Sequence, residues 1–168
     1  CLRDAGLLRL AAERTTDTSG NAFRMRVGST EYDSRADAGA AIAIWVRGHE
    51  IDIARATGAD LLLGRIAGHE LRVSFDRDTS YTLRPTTVAR ISLGPDVPLS
   101  GSRVPVEEIY SAGVGLVRAI ENKLAGIERT IVKLENDAVE CERVIAEADT
   151  SLGKPFPHAA ALRDAKTR

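Results

Sequence analysis

Cysteine is almost absent from this chain. Cys1 and Cys141 are the only two, so neither a disulfide framework nor a cysteine-built zinc site has the residues it needs. Aromatic side chains make up 4% of the sequence, so a core has to come from leucine, isoleucine, valine and alanine. No run of about 18 apolar residues occurs, which excludes a membrane-spanning helix, and no signal-peptide pattern opens the chain. A net charge of −1 leaves no global basic field to draw the chain onto nucleic acid or lipid. These absences together predict a cytoplasmic protein without a membrane partner.

What is present is ordinary in amount and unusual in arrangement. The 168 residues, 43% of them hydrophobic, suffice for one domain and a helical extension. The chain opens on Cys1, with Leu2, Leu7, Leu8 and Leu10 already in helical spacing, as a piece of a longer protein would. Residues 1–105 hold fourteen bases, every one arginine, against thirteen acids, a balance of +1; residues 107–149 hold five bases against ten acids, a balance of −5. The arginine bias suits phosphate or carboxylate recognition, and GC-rich codon usage produces the same bias.

The strongest periodic signal is a three-four rhythm of small and apolar residues: Val117, Ile120, Leu124, Ile127, Ile131, Leu134, Ala138, Cys141, Ile145, Ala148, Leu152. Such a 3.5-residue repeat keeps one helical stripe facing a partner. Over five heptads it predicts a long coiled-coil-like helix from Pro105 to Leu152, about 50 Å of stripe at 1.5 Å per residue. Cys141 falls on that stripe and reads as a small buried hydrophobe. The stripe could pack on the sheet or against the short helices at residues 2–14 and 159–166, which could cover only part of it. A second long helix is therefore expected, from another copy or from the rest of a parent chain.

Upstream, four units are predicted: an N-terminal helix and linker (1–20), a sheet domain (21–104), the long helix (105–152) and a short terminal helix (153–168). Within the sheet domain, Phe23–Val27 alternates as a strand, Gly28-Ser29 turns, and Glu31-Tyr32 forms a second short strand. Ser34 or Asp33 caps a helix over 35–49 whose buried face carries Ala38, Ala41, Ile42, Trp45 and Val46. Residues 51–58 are ambiguous. Leu61–Ile66 and Glu70–Phe75 form a hairpin about Ala67-Gly68. Asp76–Thr79 reads as a turn, Tyr81–Arg84 and Val88–Leu93 as strands, and 94–105 as a loop. Gly113 and Gly115 inside the long helix mark a kink or a close backbone contact. The fold class is α+β: a small antiparallel sheet with one packed helix, the long helix and a short C-terminal one.

Catalytic chemistry finds no foothold in the residue pattern. His49, His69 and His158 lack a nucleophile or metal-ligand spacing around them; His69 reads as a solvated turn residue. Gly64-x-x-x-Gly68 lacks the Lys-Ser/Thr ending of a phosphate loop. No catalytic residue, metal or cofactor is assigned. The binding candidates are strand arginines: Arg24, Arg26, Arg65, Arg72, Arg84 and Arg90. On one sheet face they could follow a phosphate backbone, or they could pair with Glu31, Glu70, Asp76 and Asp78 across strands.

Four stretches occur in a familiar order: Phe23–Ala38 with its Tyr32-Asp33-Ser34 step, Gly64–Leu71, Gly115–Leu124 with its Arg118-Ala119-Ile120-Glu121-Asn122 run, and Gly153-Lys154-Pro155-Phe156. This order resembles the C-terminal region of very large helicase-methyltransferase proteins of phages, plasmids and integrative elements. Those join a Swi/Snf-like superfamily 2 helicase to an adenine-specific DNA methylase. Walker motifs and the Asn/Asp-Pro-Pro-Tyr/Phe motif are both missing from this chain. The resemblance therefore implies a non-catalytic accessory domain that assists DNA binding or domain positioning. Its implied partners are DNA and other domains of the parent chain, and Arg118, Glu121 and Asn122 are its motif residues. The competing expectation is a coiled-coil module for homodimerisation or partner docking, without DNA contact. In that case Val117, Ile120, Leu124, Ile127, Ile131, Leu134, Cys141 and Ile145 form the interface.

Overall fold

The computed structural model describes residues 2–55, 58–78, 86–98 and 100–152. Among them are five helices and one six-stranded sheet, the α+β arrangement expected from the sequence. Helix α1 spans Leu2–Arg14. A hairpin of β1 (Met25–Val27) and β2 (Thr30–Tyr32) follows, with Gly28-Ser29 at its turn. Helices α2 (Arg35–Arg47) and α3 (Glu50–Arg55) come next, so the ambiguous stretch starts as helix. Strands β3 (Leu61–Ile66), β4 (His69–Asp78), β5 (Thr86–Ser92) and β6 (Ser102–Pro105) complete the sheet. All neighbours are antiparallel, in the order β2-β1-β3-β4-β5-β6. Helices α4 (Val106–Ala125) and α5 (Ile127–Leu152) end the described chain.

Local chemistry accounts for most boundaries. Ser34 caps α2 through its side chain, accepting the Asp37 N–H at 3.4 Å, which satisfies one of the orphan amides of the first turn. Ala67 and Gly68 both have positive φ, 52° and 86°, the backbone that a two-residue hairpin with right-handed strand twist demands. Period-two alternation in β4 puts His69, Leu71, Val73 and Phe75 on the inner face, all buried. They join Met25, Val27, Ile66, Ala89 and Ile91 in one core with Leu8 and Ala11 of α1, Ile42 and Val46 of α2, and Val117 and Ile120 of α4. At roughly 1.5–3 kcal/mol per buried large side chain, this shared core supplies the main driving force for the fold.

Several details depart from expectation. The turn placed at Asp76–Thr79 does not start there: Asp76, Arg77 and Asp78 continue β4 and pair with Val88, Thr87 and Thr86. Their side chains alternate like the rest of the strand, and the acids find arginines on neighbouring strands. Strand β6 lies in what reads as a loop; its pairing with β5 is long-range, and Pro105 sits at its end, where an absent N–H is tolerated. The strand expected at Tyr81–Arg84 and the helix expected at 159–166 lie outside the described residues.

The stretch predicted as one helix over 105–152 is two helices in series, α4 and α5, meeting at Gly126. Gly126 stays in the right-handed region (φ −87°, ψ −5°) and its N–H reaches the Asn122 and Lys123 carbonyls. A sharper break occurs at Gly113 (φ 45°, ψ −122°). It brings the chain against α2: a Cβ placed on Gly39 would lie 2.4 Å from the Gly113 carbonyl oxygen. The two helices thus touch backbone to backbone, which only a glycine at 39 permits.

Gly39→Ala therefore forces α2 and α4 apart, with an expected loss of about 2–4 kcal/mol in urea denaturation. Gly115→Ala, at a position where an added methyl meets nothing within 4 Å, should instead gain about 0.5–1 kcal/mol. Equal effects at the two sites would contradict the contact.

Candidate functional site

Three places hold the residues singled out by sequence: the outer sheet face, the Arg35–Glu121 junction, and the α4–α5 stripe. The outer face gathers most of the strand arginines. Register places Arg26 opposite Arg65 and Glu31, Arg65 opposite Glu70, and Arg90 opposite Arg103 and Ser74. Alternation brings Arg72, Asp76 and Asp78 to the same side. Five arginines thus share the face with four carboxylates, a balance of +1.

Most of those charges are paired. Arg72 donates from Nε to Glu70 at 2.9 Å and from Nη1 to Asp60 at 3.0 Å. Arg65 lies 3.5 Å from Glu70, Arg103 3.3 Å from Asp78, and Arg90 4.0 Å from Asp76. The hydrogen bond from Arg72 holds the Glu70 carboxyl below its ordinary range, with Arg65 adding to it. Cross-strand pairing is therefore what the geometry realises for Glu70, Asp76 and Asp78. Exposed pairs of this kind are worth about 0–1 kcal/mol each, so they cancel the local field without adding much stability. Arg24 points its guanidinium at the Asn21 and Phe23 carbonyls. Arg26 stands apart on this face: among the described residues it has no ion-pair partner, although it lies in register with Glu31 on one side and Arg65 on the other. Arg24, Arg26, Arg65, Glu31 and Thr16 line a shallow open groove. Arg84 lies outside the described residues.

The motif residue Glu121 has a partner the sequence did not suggest. Arg35 of α2 grips it with two hydrogen bonds, Nε to Oε2 and Nη2 to Oε1, both 2.8 Å. The same guanidinium donates to the Thr18 carbonyl at 2.7 Å and lies 4.6 Å over the Phe23 ring. This planar two-point grip is the geometry arginine makes with carboxylates, and it ties the linker after α1, the start of α2 and the C-terminal part of α4 together. The expected neighbour Arg118 and Asn122 are exposed on α4. Arg35 escaped sequence reading because its partner is 86 positions away.

His69 is not a solvated turn residue. It is 3% exposed, and its Nε2 lies 2.8 Å from the Thr15 hydroxyl. That hydroxyl donates its one proton to the Ala11 carbonyl at 2.9 Å, so the imidazole Nε2–H is the donor to Thr15. The alternation that buries Leu71, Val73 and Phe75 extends back to residue 69, a signal available in the sequence. Trp45 lies on the apolar face of α2 as expected, half-buried and stacked on His49 at 3.7 Å.

The stripe changes character along its length. Val117, Ile120, Leu124, Ile127, Ile131, Leu134 and Ala138 are all buried. Beyond Ala138 the same stripe is bare: Ile145 is 60% exposed and Leu152 84%, and Cys141 is exposed. Within this chain Cys141 is exposed and not the small buried hydrophobe expected, and Ile145 has no cover among the described residues. The cover on α5 is α1, which lies against it: Leu8 and Ile127 line one pocket, Arg9 pairs with Glu135, and Thr15 borders Leu124 and Ala125. The two helices run antiparallel. A 13-residue helix spans about 20 Å, too little for the whole stripe.

Among the described residues no group of three or more His, Cys, Asp and Glu side chains is placed to hold a metal ion, and no helix is long and apolar enough to cross a membrane. No protein-family model, curated protein or solved structure matches the chain.

Burial, and then the nearby charge of Arg14, hold the His69 imidazole below its ordinary value, with Asp96 opposing in part. The unfolded chain titrates near 6.5, so below that pH it binds more protons than the native state, and stability falls as pH drops. The denaturation midpoint should be lower at pH 5 than at pH 7.5. His69→Gln should flatten that difference, because it removes the imidazole whose native and unfolded titrations differ. An unchanged pH profile would contradict a buried neutral imidazole.

Proposed function

We propose that this chain is a non-catalytic accessory module of a larger cytoplasmic DNA-processing protein, and that it positions other parts of that protein by docking through the bare end of α5. One observation carries the reading: an apolar stripe that is buried at seven successive positions and open at the next four. Ile145 and Leu152, two turns apart on that stripe, are both more than half exposed, and Val144 beside Ile145 is half exposed. An apolar patch of this continuity marks an interaction surface rather than a random exposure. The α1–α5 contact supplies the template for what sits there. The resemblance to helicase-methyltransferase C-terminal regions supplies the setting, in which the docked element belongs to the parent chain. Paired sheet arginines, with a balance of +1, support positioning over strong DNA affinity.

Cys141 reports on this reading directly, in a Cys1→Ser background. It should alkylate rapidly in this chain alone and at least about tenfold more slowly in the complete reading frame, where the stripe is covered. Ile145→Asp should restore the fast rate in the complete protein without moving the denaturation midpoint of the isolated chain. Equal alkylation in both settings would overturn the proposal.

A second reading, direct DNA contact, is favoured by Arg26 and Arg65. Like charges directly across a strand pair are unfavourable by themselves, and a phosphate in the Arg24–Arg26–Arg65 groove would relieve them. Three such contacts predict affinity falling about 40-fold between 50 and 200 mM salt, and loss of binding in the Arg26→Ala, Arg65→Ala double variant. Absence of binding to duplex DNA at 50 mM salt by fluorescence anisotropy removes this reading.

A further inference from the structure

The bare part of α5 carries a charge pattern that selects its partner. Glu135, Glu142 and Asp149 recur every seven residues, two turns or about 10.5 Å apart, so all three stand on the same flank of the apolar stripe. The first is already used: Glu135 pairs with Arg9 of α1, the helix that covers the stripe beside it. The next two border the uncovered part. Among the described residues, Glu142 and Asp149 have no ion-pair partner. Residues 139–152 contain four acids and one base, a balance of −3. That base, Arg143, is held on the opposite side of the helix by Glu140 and Glu147.

Building on the docking role proposed above, we infer that the occupant of this surface is an amphipathic helix whose apolar stripe is edged by arginine or lysine at heptad spacing. The α1 contact is the precedent: small and apolar Ala5, Leu8 and Ala11 are buried at successive turns, while Arg9 reaches the acidic flank. The occupant extends the same interface along α5, with Ile145 and Leu152 in place of Ile131 and Ala138, and with Glu142 and Asp149 in place of Glu135. A second copy of this chain is a poor occupant, because pairing two bare segments brings two acidic Glu142–Asp149 flanks together, and like charges along facing helices repel.

The probe is a helical peptide of about three heptads with a Leu/Ala stripe and Arg at the flanking heptad position; its counterpart carries Glu there. Fluorescence anisotropy at low salt should show the Arg peptide binding this chain at least about tenfold more tightly than the Glu peptide. Glu142→Lys with Asp149→Lys should reverse that preference, with unchanged helicity by circular dichroism. Ile145→Asp should abolish both. Binding of both peptides alike, still abolished by Ile145→Asp, overturns the charge selection and leaves the docking role standing. Binding of neither overturns both. A concentration-dependent dimer in sedimentation, unaffected by the Arg peptide, assigns the surface to a second copy and overturns the inference.

Discussion

An antiparallel sheet with one polar face can persist only if its other face is kept from water. Here that cover depends on how closely α2 and α4 approach each other. Glycine at 39 and the reversed backbone at Gly113 let the two helices meet main chain to main chain. This close approach lets Ile42, Val46, Val117 and Ile120 share one core with Phe75 and Ile91. The Arg35–Glu121 grip spans the same pair of helices at their polar margin, and Arg47 lies 4.9 Å over the Tyr110 ring elsewhere along the contact. Polar and apolar interactions thus close the same seam.

The outer face and the helical end divide binding potential between them. On the sheet, arginines and carboxylates alternate across strands and mostly satisfy each other. On α5, the apolar stripe outlasts the helix that covers it, and the acids along its flank outlast the arginine that answers the first of them. Unanswered groups of both kinds lie on one surface. The fold completes its core without that surface, which leaves it free to serve an interaction.

Much of the architecture was legible in the sequence because its signals are local. The Ala67-Gly68 hairpin, the Ser34 cap, the alternation in β1 and β4 and the three-four rhythm from Val117 each arise from residues within a few positions of one another. Strand β6 was not legible, since four residues with no strong alternation become a strand only when β5 offers them a ladder. Asp76 and Asp78 looked like turn residues because their arginine partners lie on strands 14 and 25 positions further along. His69 is the reverse case: it adjoins a turn, yet the alternation of β4 carries it onto the buried face.

By itself, the sequence determined most of the helices and strands, β6 and the end of β4 apart, and which edge of each is apolar, because periodicity and capping are properties of neighbours along the chain. It also determined that α4 and α5 carry one continuous stripe. Only the tertiary structure decided where that stripe is covered and where it is open, which carboxylate Arg35 holds, and which outer-face arginine forms no ion pair among the described residues. Those outcomes depend on the direction in which α1 crosses α5 and on strand register, and both are set by contacts between segments far apart in sequence.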